Sequence, residues 1–173
     1  MESALQRIRS IADYQFGKDV GVRLFPENVD IVYSKTTGRI RYVNLNGKRL
    51  ATLRPTDGLL SISITAAMSI AENAGFARCF VTVRKDVSEF IADGGDVFAA
   101  HVVKADDAIH AKDEVIVVDE DNRVLAVGRA LLSSVEMKRF KTGVAMKVGT
   151  DAQREVKYMR LYCRILGGSE LYA

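Results

Sequence analysis

The sequence predicts an α+β domain, an antiparallel sheet with helices, followed by a mainly β domain of short strands. Three observations lead there. Residues 1–75 run helix, antiparallel strands, helix, with an Asn-Gly hairpin signal in the middle. Residues 80–148 hold several short β-branched runs separated by turn residues. Within the second lies DVSEFIADGGDVFAAHVV (86–103), which reads as a short helix stopping at Gly94-Gly95 and turning straight into an apolar strand.

In the first unit, Leu5, Ile8 and Ala12 recur at helical spacing, so residues 1–14 form a helix. Residues 29–33 read as a strand closed by Thr36-Thr37-Gly38. Residues 39–45 and 48–54 flank Asn46-Gly47, and a type I′ turn needs positive φ at both central positions, which these residues accept. Pro55-Thr56-Asp57-Gly58 turns the chain into a strand at 59–64, and helical spacing returns over 65–74. Gly75 marks the boundary, giving domains at 1–75 and 76–149 with a tail at 150–173. Tyr14, Phe16 and Phe25 flank Gly17 and Gly21 in a loop-like segment and read as core or interdomain packing.

In the second unit, Asp86 stands where an N-cap belongs, with Glu89 three residues on as in a capping box. The glycine pair permits positive φ and exposes backbone N–H groups to a close-approaching ligand, or else simply caps the helix. EVIVVD (114–119) and RVLAVGRALL (123–132) flank the turn Glu120-Asp121-Asn122, and Gly128 suggests a bulge. Ser133 with Glu136 forms a second capping box, opening a turn of helix that ends near Gly143, and a last strand covers 144–148. In the tail, Val156, Met159, Tyr162, Cys163 and Leu166 recur at helical spacing, for a helix that packs back on the body or docks on a separate subunit.

Composition narrows the function. A chain of 173 residues with 48% apolar content can fill one large core or two small ones. No apolar run approaches the ~20 residues of a membrane span, and MESALQRIRS has no apolar signal region, so no membrane role is expected. Cys79 and Cys163 match no ligand spacing and read as reduced, buried thiols in a cytoplasmic setting. His101 and His110 neighbour no cysteine, and no nucleophile, zinc or phosphate-loop motif appears, so neither catalytic residues, metal nor cofactor are expected. His101 reads as a strand histidine or a nucleic-acid contact, and His110 as a surface residue.

Net charge is only +3, but its distribution is uneven. Acids crowd 106–121, whereas Arg129, Lys138, Arg139, Lys141 and Lys147 face a single Glu136. That separation suits a basic binding face with the acidic hairpin end turned away, or two solvated faces. Arg39, Arg41, Lys48, Arg49 and Arg54 lie on the Asn46-Gly47 ribbon without an intervening acid. They read equally as a phosphate track or as charges guarding an exposed sheet edge.

The order of segments resembles the PUA domain, a pseudo-barrel that binds structured RNA. DGGDVFAAHVV, AKDEVIVVDEDNRVLAVGRALLS and EMKRFKTGVAMKV resemble the PUA domain of archaeal tRNA-guanine transglycosylase, the archaeosine enzyme. DYQFGKDVGVRLFP, IVYSKTTGRIRYV and NGKRLATLRPTDGLLSISITAA resemble the patch-forming domain that precedes it there. The resemblance runs from about residue 12 to 148, and nothing matches the enzyme's catalytic barrel or zinc site. It implies a non-catalytic tRNA-binding protein of archaeosine-type modification, the detached C-terminal half or accessory subunit of a split transglycosylase. The implied partners are the acceptor-stem region of tRNA and a separate catalytic subunit. The rival expectations are a later amidotransferase-like step and a protein-interaction or ribosome-associated module.

Carried over by position, the resemblance implies RNA contacts at Asp93, Gly94, Gly95, Asp96, Val97, Phe98 and Ala99, with His101 and Lys104 beyond them. Arg84 and Lys85 would lie at the same end, extended by Arg129, Lys138, Lys141 and Lys147. Replacing both glycines with Asp is expected to weaken tRNA binding and leave thermal unfolding nearly unchanged.

Overall fold

The computed structural model describes residues 3–72, 75 and 77–151. Helix α1 (Ala4–Phe16) starts at Ser3, whose hydroxyl accepts from the Gln6 N–H at 3.1 Å, and buries Ile8, Ala12, Gln15 and Phe16. A short helix α2 (Val20–Leu24) follows, where the sequence suggested a loop. Strands β1 (Asp30–Tyr33), β2 (Ile40–Leu45), β3 (Lys48–Leu53) and β4 (Leu60–Ile62) form an antiparallel sheet in chain order. Asn46 and Gly47 turn β2 into β3 with φ of 51° and 76°, as the hairpin signal required. Helix α3 (Ile64–Glu72) closes the unit.

The second sheet is built from β5 (Phe80–Val83), β6 (Val97–Phe98), β7 (Val102–Ala105), β8 (Glu114–Asp119), β9 (Val124–Ala130) and β10 (Val144–Asp151). Its spatial order is β6-β10-β9-β8-β5-β7, with β5 and β8 parallel and every other pair antiparallel. The outermost strands, β6 and β7, are joined through a single 3₁₀ turn at Ala99–His101. The sheet therefore curls until its edges meet, the pseudo-barrel expected from sequence. Helix α4 (Ser88–Ala92) and helix α5 (Ser134–Arg139) lie in its connections. The run 97–103 is thus two strands and a turn rather than one strand.

Two local expectations change. Asp86 does not cap α4: it pairs with Arg84 at 3.0 Å, and a 3₁₀ turn at Lys85–Val87 leads into the helix. Gly128 carries no bulge itself. The extra residue, Gly149, is on β10, where the register shifts between Val148 and Thr150. A Cβ at Gly128 would lie 2.1 Å from the Lys147 carbonyl oxygen, so the glycine permits close strand approach. The Ser133–Glu136 capping box forms as predicted. The tail helix and Cys163 lie outside the described residues.

The buried residues of both units form one contiguous cluster, and α3 packs against β3 on one side and β9 on the other. Polar links add to it. The Gln15 side chain donates to the Leu60 carbonyl at 3.1 Å and accepts the Leu60 N–H at 2.7 Å. The Cys79 thiol donates to the Gln15 carbonyl at 3.1 Å, and burial pushes its pKa up to about 12, so it is protonated and inert at neutral pH. Phe16 and Phe25 are buried as expected, whereas Tyr14 is 71% exposed and its carbonyl accepts from the Arg78 guanidinium.

Candidate nucleic-acid interface

The 3₁₀ turn at Ala99–His101 is the centre of the candidate face. Its geometry follows from the meeting of sheet edges: the Ala99 N–H donates to the Gly143 carbonyl at 2.9 Å, and the Arg84 N–H donates to the His101 carbonyl at 3.0 Å. These bonds bring together β5, the turn, and the segment before β10 that carries Lys141. The Phe98 and His101 rings meet edge to face at 5.3 Å, with Phe98 39% exposed. His101 Nδ1 accepts the Phe98 N–H at 3.4 Å. Burial, aided by the Arg84 charge, lowers the His101 pKa and keeps the ring neutral at neutral pH.

Helix α5 packs against β7, which places Lys138 beside the acidic turn that follows β7. Lys138 Nζ reaches Asp107 at 2.5 Å, and Lys104 also acts on that carboxylate. Arg84 and Lys141 thus lie beside the turn that carries the Phe98–His101 pair, in which Phe98 is exposed and His101 half-buried, while Lys104 and Lys138 continue the basic residues along β7 toward Asp107. Arg84, however, is paired with Asp86, and Lys138 with Asp107.

Other expected contacts have different jobs. The Gly94 N–H donates to the Ile91 carbonyl at 3.0 Å and the Gly95 N–H to the Phe90 carbonyl at 2.9 Å, so both amides cap α4 and are unavailable to phosphate. Gly94 has φ of 98°, and a Cβ on Gly95 would meet the Phe90 ring at 2.4 Å. Asp96 Oδ1 accepts the Val148 N–H at 2.9 Å, a staple between corner and β10. The Val97 and Ala99 side chains are buried. Asp93 is exposed at the corner. Lys85 binds Asp121 at 2.5 Å and its N–H donates to Glu120 at 2.9 Å, so the acidic turn lies against this end of the barrel rather than away from it. Asp119 orders that turn, accepting the Asp121 and Arg123 N–H groups at 3.0 and 2.9 Å.

Arg129 and Lys147 are opposite each other on β9 and β10, and Arg129 is also opposite Glu114 on β8. They lie at the Glu114 end of the barrel, while Arg84 follows Val83, which is paired with Asp119 at the other end of β8. A six-residue strand separates the two sets by roughly 17 Å.

On the hairpin, Arg39, Arg41, Lys48 and Arg49 are exposed. Arg54 is not part of that track. It is 6% exposed, donates to Glu114 at 3.1 Å and pairs with Asp57 at 3.0 Å, joining the two sheets. Sequence reading passed over Tyr42, whose ring centre is 3.7 Å from the Arg49 Cζ and 4.8 Å from the Arg41 Cζ. The hairpin register carried the signal, because Arg49 is opposite Asn44 and hence diagonal to Tyr42. Among the described residues no cluster of His, Cys, Asp and Glu could hold a metal ion, and no helix is long and apolar enough to cross a membrane.

Fold and site together define a PUA-type pseudo-barrel carrying a basic, aromatic face and joined to a preceding α+β unit. Comparison with known proteins names both domains. Residues 6–75 match the patch-forming domain C2 of tRNA-guanine transglycosylase, and residues 80–150 match the PUA domain. Similar curated proteins include the tRNA-guanine(15) transglycosylase of Methanobrevibacter smithii, 39% identical over 143 residues, covering 83% of this chain and 22% of that protein. That of Pyrococcus furiosus is 42% identical over 146 residues, covering 84% and 24%. The chain therefore carries a patch-forming C2 domain and a PUA domain, is similar to the C-terminal part of archaeal tRNA-guanine transglycosylases, and spans about a quarter of the length of those relatives. Among solved structures, a hypothetical protein of Pyrococcus horikoshii superposes with a TM-score of 0.71 at 26% identity, covering 90% of this chain and 93% of that one. A conserved PUA domain protein of Thermoplasma acidophilum has the same fold, with a TM-score of 0.62 at 21% identity over 88% and 90%.

Proposed function

We propose that this protein is a non-catalytic tRNA-binding component of archaeosine-type tRNA modification, acting in the cytoplasm as the separate C-terminal half or accessory subunit of a split tRNA-guanine transglycosylase. One observation carries the reading. The portion that matches the PUA domain presents an exposed Phe98 ring packed on a half-buried His101, with Arg84 and Lys141 beside the turn that carries them and Lys104 and Lys138 further along β7. Basic residues near such a ring attract phosphate, and the exposed ring stacks on an unpaired nucleotide, as at an acceptor end. Catalysis then belongs to a partner carrying the barrel.

The test is a titration of the full chain with tRNA at two salt concentrations, alongside Lys104→Glu with Lys141→Glu. Binding that weakens at least tenfold in the variant supports the face. Equal affinity overturns it. Capture from native lysate reports on the pathway: a barrel-bearing transglycosylase supports it, and recovery of ribosomal RNA alone favours a ribosome-associated module.

A further inference from the structure

We propose that the β2–β3 hairpin holds a second RNA-phosphate site, an arginine pair mounted on Tyr42, distinct from the pseudo-barrel face. It rests on the RNA-binding reading above and adds a second point of contact.

Four observations converge. The Arg41 and Arg49 guanidiniums share one tyrosine ring, at 4.8 and 3.7 Å from its centre, with Lys48 beside Arg49 and Arg39 just before β2. Like charges brought together in this way repel unless an anion joins them. No described acid neutralises them, since among the described residues none of Arg39, Arg41, Lys48 and Arg49 forms an ion pair, while Arg84, Lys85, Arg123 and Lys138 each meet an acid at 2.5 to 3.0 Å. The alternative role, guarding a sheet edge, fails on topology: β2 and β3 are the inner strands, and the edges are β1 and β4.

The mounting is also rigid. The type I′ turn fixes the register, and Leu50, the extra residue between the Ala51–Val43 and Arg49–Asn44 pairs, is buried at 6% exposure. A planar guanidinium held on a ring has lost much of its freedom already, so two-pronged hydrogen bonding to a phosphodiester costs less entropy. A folded RNA offers such phosphates at fixed spacing, and the Arg54–Glu114 link holds the hairpin at a fixed position against the barrel.

The experiment titrates tRNA into the full chain and into Arg41→Gln with Arg49→Gln, at low and moderate salt. The expected result is about tenfold weaker binding at the lower salt, and a slope of log affinity against log salt shallower by about 1 to 2, as for the loss of one or two phosphate contacts. Tyr42→Leu should weaken binding in the same direction by less, and unfolding midpoints close to the parent's confirm folded variants. An affinity and slope equal to the parent's overturn the proposal while leaving the barrel face standing. A parent chain that binds no tRNA overturns both readings. Polyglutamate that displaces tRNA from the parent, but no longer from the double variant, reassigns the hairpin to an acidic protein partner and also overturns it.

Discussion

Arg54 and Glu114 form a buried ion pair, at 3.1 Å, between residues 60 positions apart that belong to different sheets. The carboxylate also accepts the Ile62 N–H at 3.2 Å and the Ser61 hydroxyl at 3.3 Å, so Glu114 of the pseudo-barrel is bound by three residues of the first unit. Removing Arg54 strands that carboxylate. Arg54→Met is expected to lower unfolding free energy at pH 8 by roughly 3–5 kcal/mol. Arg54→Met combined with Glu114→Gln should cost less than the two singles together, because Gln still accepts from Ile62. A double-mutant cycle in urea checks this, and strict additivity would count against the pair.

The same pair sets a pH dependence. Burial pushes the Glu114 carboxyl up to about 7 from 4.5, against the pull of Arg54 and the Ile62 N–H. The folded state therefore holds this proton more tightly than the unfolded chain. Stability from this group is complete below 4.5 and is lost as pH rises through about 7. At about 1.4 kcal/mol per pH unit, the change is on the order of 3 kcal/mol. His101, whose pKa is lowered, works in the opposite sense, losing stability as pH falls. Urea midpoints of the parent and of Glu114→Gln between pH 4.5 and 8 isolate the Glu114 contribution. The parent should lose stability relative to the variant as pH rises, and parallel curves would refute the assignment.

Much of this architecture was legible because its signals are local. Asn46-Gly47, Ser133 with Glu136, and the apolar run 114–119 each act within a few residues, and the wording of both halves pointed to the right family. Arg54 was misjudged because its neighbours in sequence are those of a solvated ribbon, and its partner lies 60 residues on. Helix α2 was missed for a similar reason. Its glycine, Gly21, is explained only by α1, since a Cβ there would lie 2.2 Å from the Arg9 carbonyl oxygen. The Gly94-Gly95 corner was half legible: its turn was evident, but the destination of its two amides depends on backbone geometry that residue types leave open.

Asp107 gives a prediction of the opposite sign to a charge deletion in the proposed RNA face. Its carboxylate, with the side chain 93% exposed, holds Lys138 at 2.5 Å and lies within reach of Lys104. Asp107→Asn releases one lysine and removes a negative charge from the face. tRNA affinity should rise about three- to tenfold, with a steeper salt dependence, as for roughly one added phosphate contact. Little change in folding stability is expected from so exposed a pair. Unaltered or weaker binding would place Lys104 and Lys138 outside the RNA contact.

The glycine corner calls for a test other than its replacement by aspartate, because the two glycines resist substitution for separate structural reasons. Gly94 holds φ at 98°, where an L side chain is strained by about 1–3 kcal/mol. A Cβ on Gly95 would meet the Phe90 ring at 2.4 Å, but Phe90 is 52% exposed and its ring can swing outward. Gly94→Ala should therefore destabilise on its own account, whatever stands at position 90. Gly95→Ala should cost less, and most of that cost should vanish in a Phe90→Ala background, which removes the ring atoms nearest the new methyl. Thermal unfolding of the four variants, with Phe90→Ala as reference, separates backbone strain from side-chain collision. If Phe90→Ala instead rescues Gly94→Ala, the collision rather than the backbone holds this corner in place.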